Sequence, residues 1–163
     1  MRLTRYTDYA LRTLIYVGLQ EPQQSSIAAI ARAYDISENH LTKVVHQLGR
    51  LGLIRTIRGR GGGLRLAQAP ADIVIGAVVR VTEEDLALVP CFGDGACAIT
   101  PSCRLRGVLG EALAAFLAVL DRTTLADLIE DGSGPNLAAL LGLPPAEGGP
   151  ILAQDGTPPP GRA

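Results

Sequence analysis

The stretch SIAAIARAYDISENHLTKVVHQLGRLG, residues 26–52, decides the fold. Ser26 and Ser37 are favourable helix N-caps, and each precedes apolar residues with helical spacing. They predict two short helices, 27–34 and 38–51, and a glycine ends the second. The linker between them is about three residues long, which is typical of a helix-turn-helix.

A β-hairpin is predicted directly after this stretch. Residues 53–57 and 64–66 are expected to form strands, and the tip between them, RGRGGG, contains four glycines that let a backbone approach a duplex closely. A hairpin in this position is a wing. Together with an earlier helix capped by Thr4, it predicts a winged helix-turn-helix head over residues 1–85, in a chain that is mainly α with a small β wing.

The second helix of the pair has one apolar and one polar side. At the helical repeat, Leu41, Val44, Val45 and Leu48 share one arc. The opposite side carries donors suited to base edges and phosphates, and arginines of the wing suit phosphates or a narrow minor groove. The candidate DNA-contacting residues are Asn39, His40, Thr42, Lys43, His46, Gln47, Arg50, Arg58 and Arg60. An ordinary solvated helix face is the alternative.

Charge is distributed unevenly, although the formal net charge is only −1. Residues 1–66 carry ten Lys/Arg and four Asp/Glu, whereas residues 67–163 carry five and twelve. A basic head is expected of a domain that binds nucleic acid, although small domains also segregate charge by chance.

The chain has three cysteines, Cys91, Cys97 and Cys103, at even spacing. An odd number of cysteines, without a signal peptide or a membrane-spanning run, predicts reduced thiols or metal ligands in the cytoplasm. Three soft ligands this close together suit an iron–sulfur cluster or zinc, and both usually require a fourth ligand. A thiol redox switch and incidental buried thiols are the alternatives. An enzyme with a nucleophilic cysteine is disfavoured because the sequence shows no base near these residues.

A long apolar helix is predicted after the cysteines. Thr100-Pro101 is a typical helix start, which places Cys103 in the first turn of a helix that reaches about Asp121. Its apolar positions are Leu105, Val108, Leu109, Ala112, Leu113, Phe116, Leu117 and Leu120. We expect this stripe to pair with a second copy, burial within one chain being the alternative. Residues 86–131 are thus a cluster-binding loop and dimerisation helix, and residues 132–163 a disordered tail rich in glycine and proline.

Four segments together resemble a known family. MRLTRYTDYALR at 1–12, GRGGGLRL at 59–66, the three spaced cysteines and TLADL at 124–128 are similar to Rrf-type winged-helix transcriptional regulators, in the same order. The resemblance covers residues 1–131. It implies a homodimer that binds double-stranded DNA at a pseudo-palindromic operator.

The same resemblance implies a fourth ligand. Some members of the family place a histidine three residues after the last cysteine, where this chain has Arg106. The nitric-oxide-sensing repressors use an aspartate near the start of the first helix, and Asp8 matches it. The resemblance therefore implies a 4Fe–4S cluster, or a 2Fe–2S cluster, whose metal is bound by three cysteines and Asp8 of the partner subunit, with nitric oxide as signal. An i,i+4 pair with Arg12 is the other interpretation of Asp8. A zinc site, a cysteine redox switch and a response to iron–sulfur status stay open.

Overall fold

The computed structural model describes residues 2–59, 61–93, 95, 97–130, 132 and 134–144. Within them the chain is mainly helical with one two-stranded antiparallel sheet, as predicted. The helices are α1 (Arg5–Gln20), α2 (Ile27–Tyr34), α3 (Glu38–Arg50), α4 (Ile75–Thr82), α5 (Arg104–Asp121), α6 (Leu125–Ile129) and α7 (Gly134–Leu140). The strands are β1 (Ile54–Ile57) and β2 (Gly63–Leu66). Short 3-10 turns cover Pro70–Asp72, Pro90–Phe92 and Thr100–Ser102.

Side-chain caps begin the helices of the head, as the sequence predicts. The Thr4 hydroxyl accepts a hydrogen bond from the Thr7 amide, and Ser26 and Ser37 cap α2 and α3 in the same way. Asp35 ends α2 in the left-handed conformation, with a φ of 52°. This residue reverses the chain between α2 and α3, so the helix-turn-helix is set by local geometry.

The wing is a short hairpin fastened to α1. Its register pairs Ile54 with Leu66 and Ile57 with Gly63. The carboxylate of Glu21, the residue that follows α1, accepts hydrogen bonds from the Arg65 guanidinium and from the Leu66 amide, the latter at 3.1 Å. Strand β2 therefore has a fixed position relative to the end of α1.

The core lies along α1. Its residues Ala10, Leu14 and Val17 are fully buried. The buried arc of α3 consists of the predicted residues Leu41, Val44, Val45 and Leu48. Other buried members include Ile30, Ile54, Leu66, Ile73, Val78, Val79 and Leu125.

Helix α4 joins the C-terminal end of α5 through backbone contacts. The Ile75 amide donates to the Thr123 carbonyl at 2.9 Å, and the Leu125 amide donates to the Ile73 carbonyl at 2.8 Å. Arg80 of α4 forms a two-pronged ion pair with Asp121 at the end of α5. We call this set of contacts the α4–α5 joint.

Two predictions about the C-terminal half are corrected. Cys103 is the N-cap of α5, with an extended ψ of 104°, because Thr100–Ser102 form a separate 3-10 turn and α5 begins at Arg104. The region expected to be disordered contains α7, and Leu143 after it is buried. Residues 145–163, the rest of that predicted tail, lie outside the described residues. Among the described helices, none has the length and apolar character needed to span a bilayer.

Gly76 permits the close approach of α4 and α5. A Cβ at this position would lie 2.9 Å from the Asp121 backbone nitrogen and would also overlap the Asp121 carboxylate. We expect Gly76→Ala to lower the free energy of unfolding by about 1–3 kcal/mol through overpacking. Denaturant unfolding should show the loss. The control is Gly49→Ala, whose Cβ would meet its nearest atom at 3.8 Å, and an equal effect of both substitutions would contradict this account.

Candidate nucleic-acid interface and cysteine loop

The polar side of α3 is open to solvent. Asn39, Lys43, His46 and Arg50 are exposed, and in the described part of the chain their side chains have no hydrogen bond or ion pair. Thr42 is also exposed, and Gln47 is half-buried. The exposed side of α3 therefore carries hydrogen-bond donors without partners among the described residues, and its opposite side is buried in the core. A recognition helix requires this arrangement.

Two candidates on α3 have partners within the chain. The Thr42 hydroxyl donates to the Glu38 carbonyl at 2.8 Å. The Nδ1 atom of His40 lies 2.9 Å from the Ser37 hydroxyl, and its ring centroid lies 6.3 Å from that of Tyr9 on α1. His40 thus connects α1 to the first turn of α3, in addition to being a candidate DNA contact.

The wing carries two exposed arginines with no ion pair among the described residues, Arg58 and Arg55. Arg60 lies outside the described residues. The sequence analysis did not include Arg55 among the candidate DNA contacts. Its position next to an apolar residue in a predicted strand indicated that it would face solvent. Arg65, which lies opposite Arg55 on β2, donates a hydrogen bond to the Glu21 carboxylate. This hydrogen bond raises the pKa of Arg65.

The cysteines lie in one loop made of two tight turns. Cys91 is in the 3-10 turn Pro90–Phe92 and is half-buried, Cys97 is exposed, and the N-cap Cys103 is half-buried. The Thr100 amide donates to the Cys97 carbonyl at 3.0 Å, and the Cys103 amide donates to the Thr100 carbonyl at 3.4 Å. Two residues of the loop, 94 and 96, lie outside the described part.

The donor set fits a thiolate-bound metal group by its chemistry. All three cysteines are free thiols, and thiolates are the preferred ligands of iron–sulfur clusters and of structural zinc. The Thr100 hydroxyl is buried beside them with no hydrogen-bond partner among the described residues. An additional sulfur or oxygen acceptor would satisfy it. The described residues contain no preassembled group of three metal ligands, so the loop would have to close around the metal.

Asp8 lies in the first turn of α1, where an acidic residue is favoured by the helix dipole. Its carboxylate accepts a hydrogen bond from Arg12 Nε at 2.9 Å, and both side chains are a little under half exposed. The Arg12 guanidinium lies 5.6 Å from the centre of the Tyr34 ring on α2. Burial raises the pKa of Tyr34 to about 12. The structure thus contains the predicted i,i+4 ion pair of Asp8 with Arg12.

Glu83 ties the start of α1 to the end of α4. Its carboxylate accepts hydrogen bonds from the Thr4 amide at 2.8 Å and from the Thr4 hydroxyl at 3.1 Å. Beside it, the buried Thr7 hydroxyl donates to the Thr82 hydroxyl at 3.0 Å. The cysteine loop begins just after Glu83, so these bonds fix its origin relative to Asp8. Sequence reasoning missed Glu83 because no local pattern connects residues 79 positions apart.

Helix α5 contains no buried residue. Leu105 and Val108 near its start are 62% and 60% exposed, and Val119 near its end is 47% exposed. Of the predicted stripe, Leu105, Val108 and Ala112 are exposed, whereas the other five positions are half-buried: Leu109, Leu113, Phe116, Leu117 and Leu120. The stripe is thus partly covered within one chain, and its pairing with a second copy stays a prediction.

Comparison with known proteins places the chain in a family. Residues 3–131 match the model of the Rrf2 family, described as an iron-dependent transcriptional regulator. The HTH-type transcriptional regulator NsrR of Geobacillus kaustophilus is 60% identical over 134 residues, which cover 80% of this chain and 91% of that protein. NsrR of Bacillus subtilis is 54% identical over 134 residues, which cover 80% of this chain and 92% of that protein.

Solved structures agree with this assignment. CymR, the global cysteine regulator of B. subtilis, superposes with a TM-score of 0.67 at 29% identity, over 80% of this chain and 98% of its own. IscR of T. potens superposes with a TM-score of 0.65 at 25% identity, over 80% of this chain and 88% of its own. The predicted winged-helix fold is thus confirmed. Since the relatives are named as transcriptional regulators, the protein is a DNA-binding regulator and not an enzyme. The chain belongs to the Rrf2 family of transcriptional regulators.

Proposed function

We propose that this protein is a cytoplasmic, homodimeric repressor whose operator binding depends on an iron–sulfur cluster sensitive to nitric oxide. One observation carries the proposal. Three free cysteines occupy the loop between the winged-helix head and an apolar helix that has no buried residue, in a chain that is 60% identical to a regulator named NsrR. The loop is thus positioned to link the state of a metal group to the spacing of two heads.

DNA binding is assigned to α3 and the wing. The donors of α3 would enter the major groove, and Arg58, Arg60 and Arg55 would contact phosphates or the minor groove. Two heads held by paired α5 helices would reach half-sites about one helical turn of DNA apart, which suits a pseudo-palindromic operator.

The cluster ligands are assigned to Cys91, Cys97, Cys103 and Asp8 of the partner subunit. When bound, the cluster supplies an iron that nitric oxide can attack, because a carboxylate is a harder donor than thiolate and a poorer match for that iron. The 4Fe–4S form is favoured, with 2Fe–2S as the alternative. The buried Thr100 hydroxyl would donate to a sulfur of the ligand set.

Asp8 has a second partner in its own chain. When it is not bound to iron, its carboxylate is held by Arg12 at 2.9 Å, and Arg12 itself lies over Tyr34 of the helix-turn-helix. The residue next to Asp8, Tyr9, contacts His40 in the first turn of α3. A change in what Asp8 binds is therefore transmitted by α1 to both helices of the DNA-reading motif.

A zinc site or a cysteine redox switch on the same fold is the second candidate. The observation that favours it is the exposure of Cys97, since an accessible thiol is open to oxidation. Metal and sulfide content distinguishes the two candidates directly.

Protein purified without oxygen should contain about four irons and four sulfides per chain, as expected for one 4Fe–4S cluster. Its visible absorption should be lost on addition of nitric oxide. The measurement is a visible spectrum with iron, sulfide and zinc analysis. Colourless protein that holds zinc or no metal, even after attempted cluster reconstitution, would support the second candidate.

Asp8→Ala should weaken cluster retention and the effect of the cluster on operator affinity, while the head stays folded. The lost surface pair with Arg12 is worth only about 0.3–0.5 kcal/mol, so thermal unfolding should change little. Iron content after gel filtration and operator binding with and without cluster test this. The control is Asp72→Ala, an exposed acidic residue in a 3-10 turn. Unchanged cluster and operator affinity in Asp8→Ala would remove this ligand from the proposal.

Replacing Lys43 or Arg58 by alanine should weaken operator binding and reduce the dependence of the binding constant on salt. Each lost phosphate contact lowers the slope of log K against log salt by about 1. Binding titrations over a series of salt concentrations measure both effects. Arg122→Ala is the matched control, because Arg122 is exposed at the far end of α5. An equal loss in the control would indicate general electrostatic attraction instead of a contact surface.

A further inference from the structure

Arg106 connects the start of α5 to the first cysteine. It lies in the first turn of α5, three residues after the N-cap Cys103, and its Nε donates to the Cys91 carbonyl at 3.2 Å. Its guanidinium carbon lies 5.9 Å from the centre of the Phe92 ring. One side chain thus contacts two consecutive residues of the 3-10 turn Pro90–Phe92.

These two contacts fit the shape of a guanidinium group. Its edge donates hydrogen bonds in its plane, while its face lies over an aromatic ring. Among the described residues, the Cys91 carbonyl has no hydrogen bond other than the one from Arg106. The turn itself is closed by the Val89 and Pro90 carbonyls, which accept from the Phe92 and Gly93 amides.

The other two cysteines are held differently. Cys103 is part of the start of α5, and Cys97 is joined to the next turn by the hydrogen bond from the Thr100 amide to its carbonyl. Cys91 is 12 positions away from Cys103 in the sequence, and the Arg106 side chain is the contact that joins its turn to the helix carrying Cys103. No other long-range hydrogen bond to Cys91 or Phe92 occurs among the described residues.

We propose that Arg106 is a positioning residue that holds Cys91 at a fixed place relative to Cys103, so that two of the three thiols are arranged before a metal group binds. The use of these thiols for a cluster rests on the proposed function. The positioning itself does not, because it concerns contacts of the protein without metal.

The test uses the full chain without metal. Cys91, Cys97 and Cys103 all lie between Arg80 and Arg104, so one tryptic peptide carries them and fragment ions distinguish their alkylation. In Arg106→Ala we expect Cys91 to react with N-ethylmaleimide roughly threefold to tenfold faster, the factor that corresponds to the loss of one hydrogen bond. The exposed Cys97 should react at its original rate. Arg106→Lys should give an intermediate rate, because lysine keeps the charge and loses the planar fork.

Arg104→Ala is the matched control. Arg104 is exposed on the same turn of α5, and its side chain has no hydrogen bond or ion pair among the described residues. An unchanged rate at Cys91 in Arg106→Ala, equal acceleration of all three thiols, or an equal effect of Arg104→Ala would each overturn the proposal. Thermal unfolding of the variants checks that a change in rate does not come from loss of the fold.

A second readout concerns the metal. In protein carrying a cluster, Arg106→Ala should shorten the half-life of the visible absorption in excess chelator by a similar factor, and Arg104→Ala should not. If Cys91 is alkylated faster in Arg106→Ala but the half-life of the cluster absorption does not change, the claim that Arg106 arranges these thiols for metal binding is wrong. A chain that never holds a cluster but shows selective acceleration at Cys91 would contradict the proposed function and support the positioning.

Discussion

Ala10, Leu14 and Val17 on one face of α1 are fully buried, and the rest of the head is arranged around them. Burial of a large aliphatic side chain contributes about 1.5–3 kcal/mol, but apolar contacts do not by themselves fix the orientation of a helix. Hydrogen bonds at the two ends of α1 fix its orientation. Glu83 accepts from Thr4 at the start, and Glu21 accepts from Arg65 and Leu66 at the end. Helix α1 therefore has a fixed relation both to the base of the cysteine loop and to the wing.

The outer face of the same helix contacts both helices of the helix-turn-helix. Asp8 and Arg12 form an ion pair, Arg12 lies over Tyr34 of α2, and Tyr9 contacts His40 of α3. All three contacts start from one helix whose inner face is packed, so α1 connects Asp8 with α2 and α3. The proposed function would use α1 in this way, to pass a ligand change at Asp8 to the recognition helix.

Helix α5 is held unequally at its two ends. Its C-terminal end is fixed to α4 by the α4–α5 joint, in which Gly76 allows the backbone of Asp121 to approach. Its N-terminal end carries Cys103 and meets the loop through the Arg106 side chain. The apolar stripe between the ends is only partly covered within one chain, and no residue of α5 is buried. A second copy on this stripe would therefore be aligned with the head by the joint, and with the cysteines by Arg106.

Local physics explains what the sequence by itself determined. The caps at Thr4, Ser26 and Ser37 need only a side chain within one turn of its own backbone, and all three are present. The apolar arc of α3 and the ion pair of Asp8 with Arg12 follow from helical periodicity for the same reason. The cysteine loop was found by residue type and spacing. Its metal, its fourth ligand and the DNA contacts stay predictions.

The tertiary structure decided the features that depend on residues distant in the sequence. The Glu83 cap of α1 joins positions 79 apart, and the contact of Arg106 with Cys91 joins positions 15 apart. Neither leaves a periodic or spacing signal, because each depends on where packing places a whole element. The same holds for Gly76 and for α7, whose short apolar run is helical beside α6 although the glycine and proline content around it predicted disorder. The sequence predicted that Cys103 lies inside the first turn of a helix. In the structure a 3-10 turn precedes it, and Cys103 is the N-cap of α5. The sequence could not show this, because hydrogen bonding at a helix start depends on the whole preceding turn.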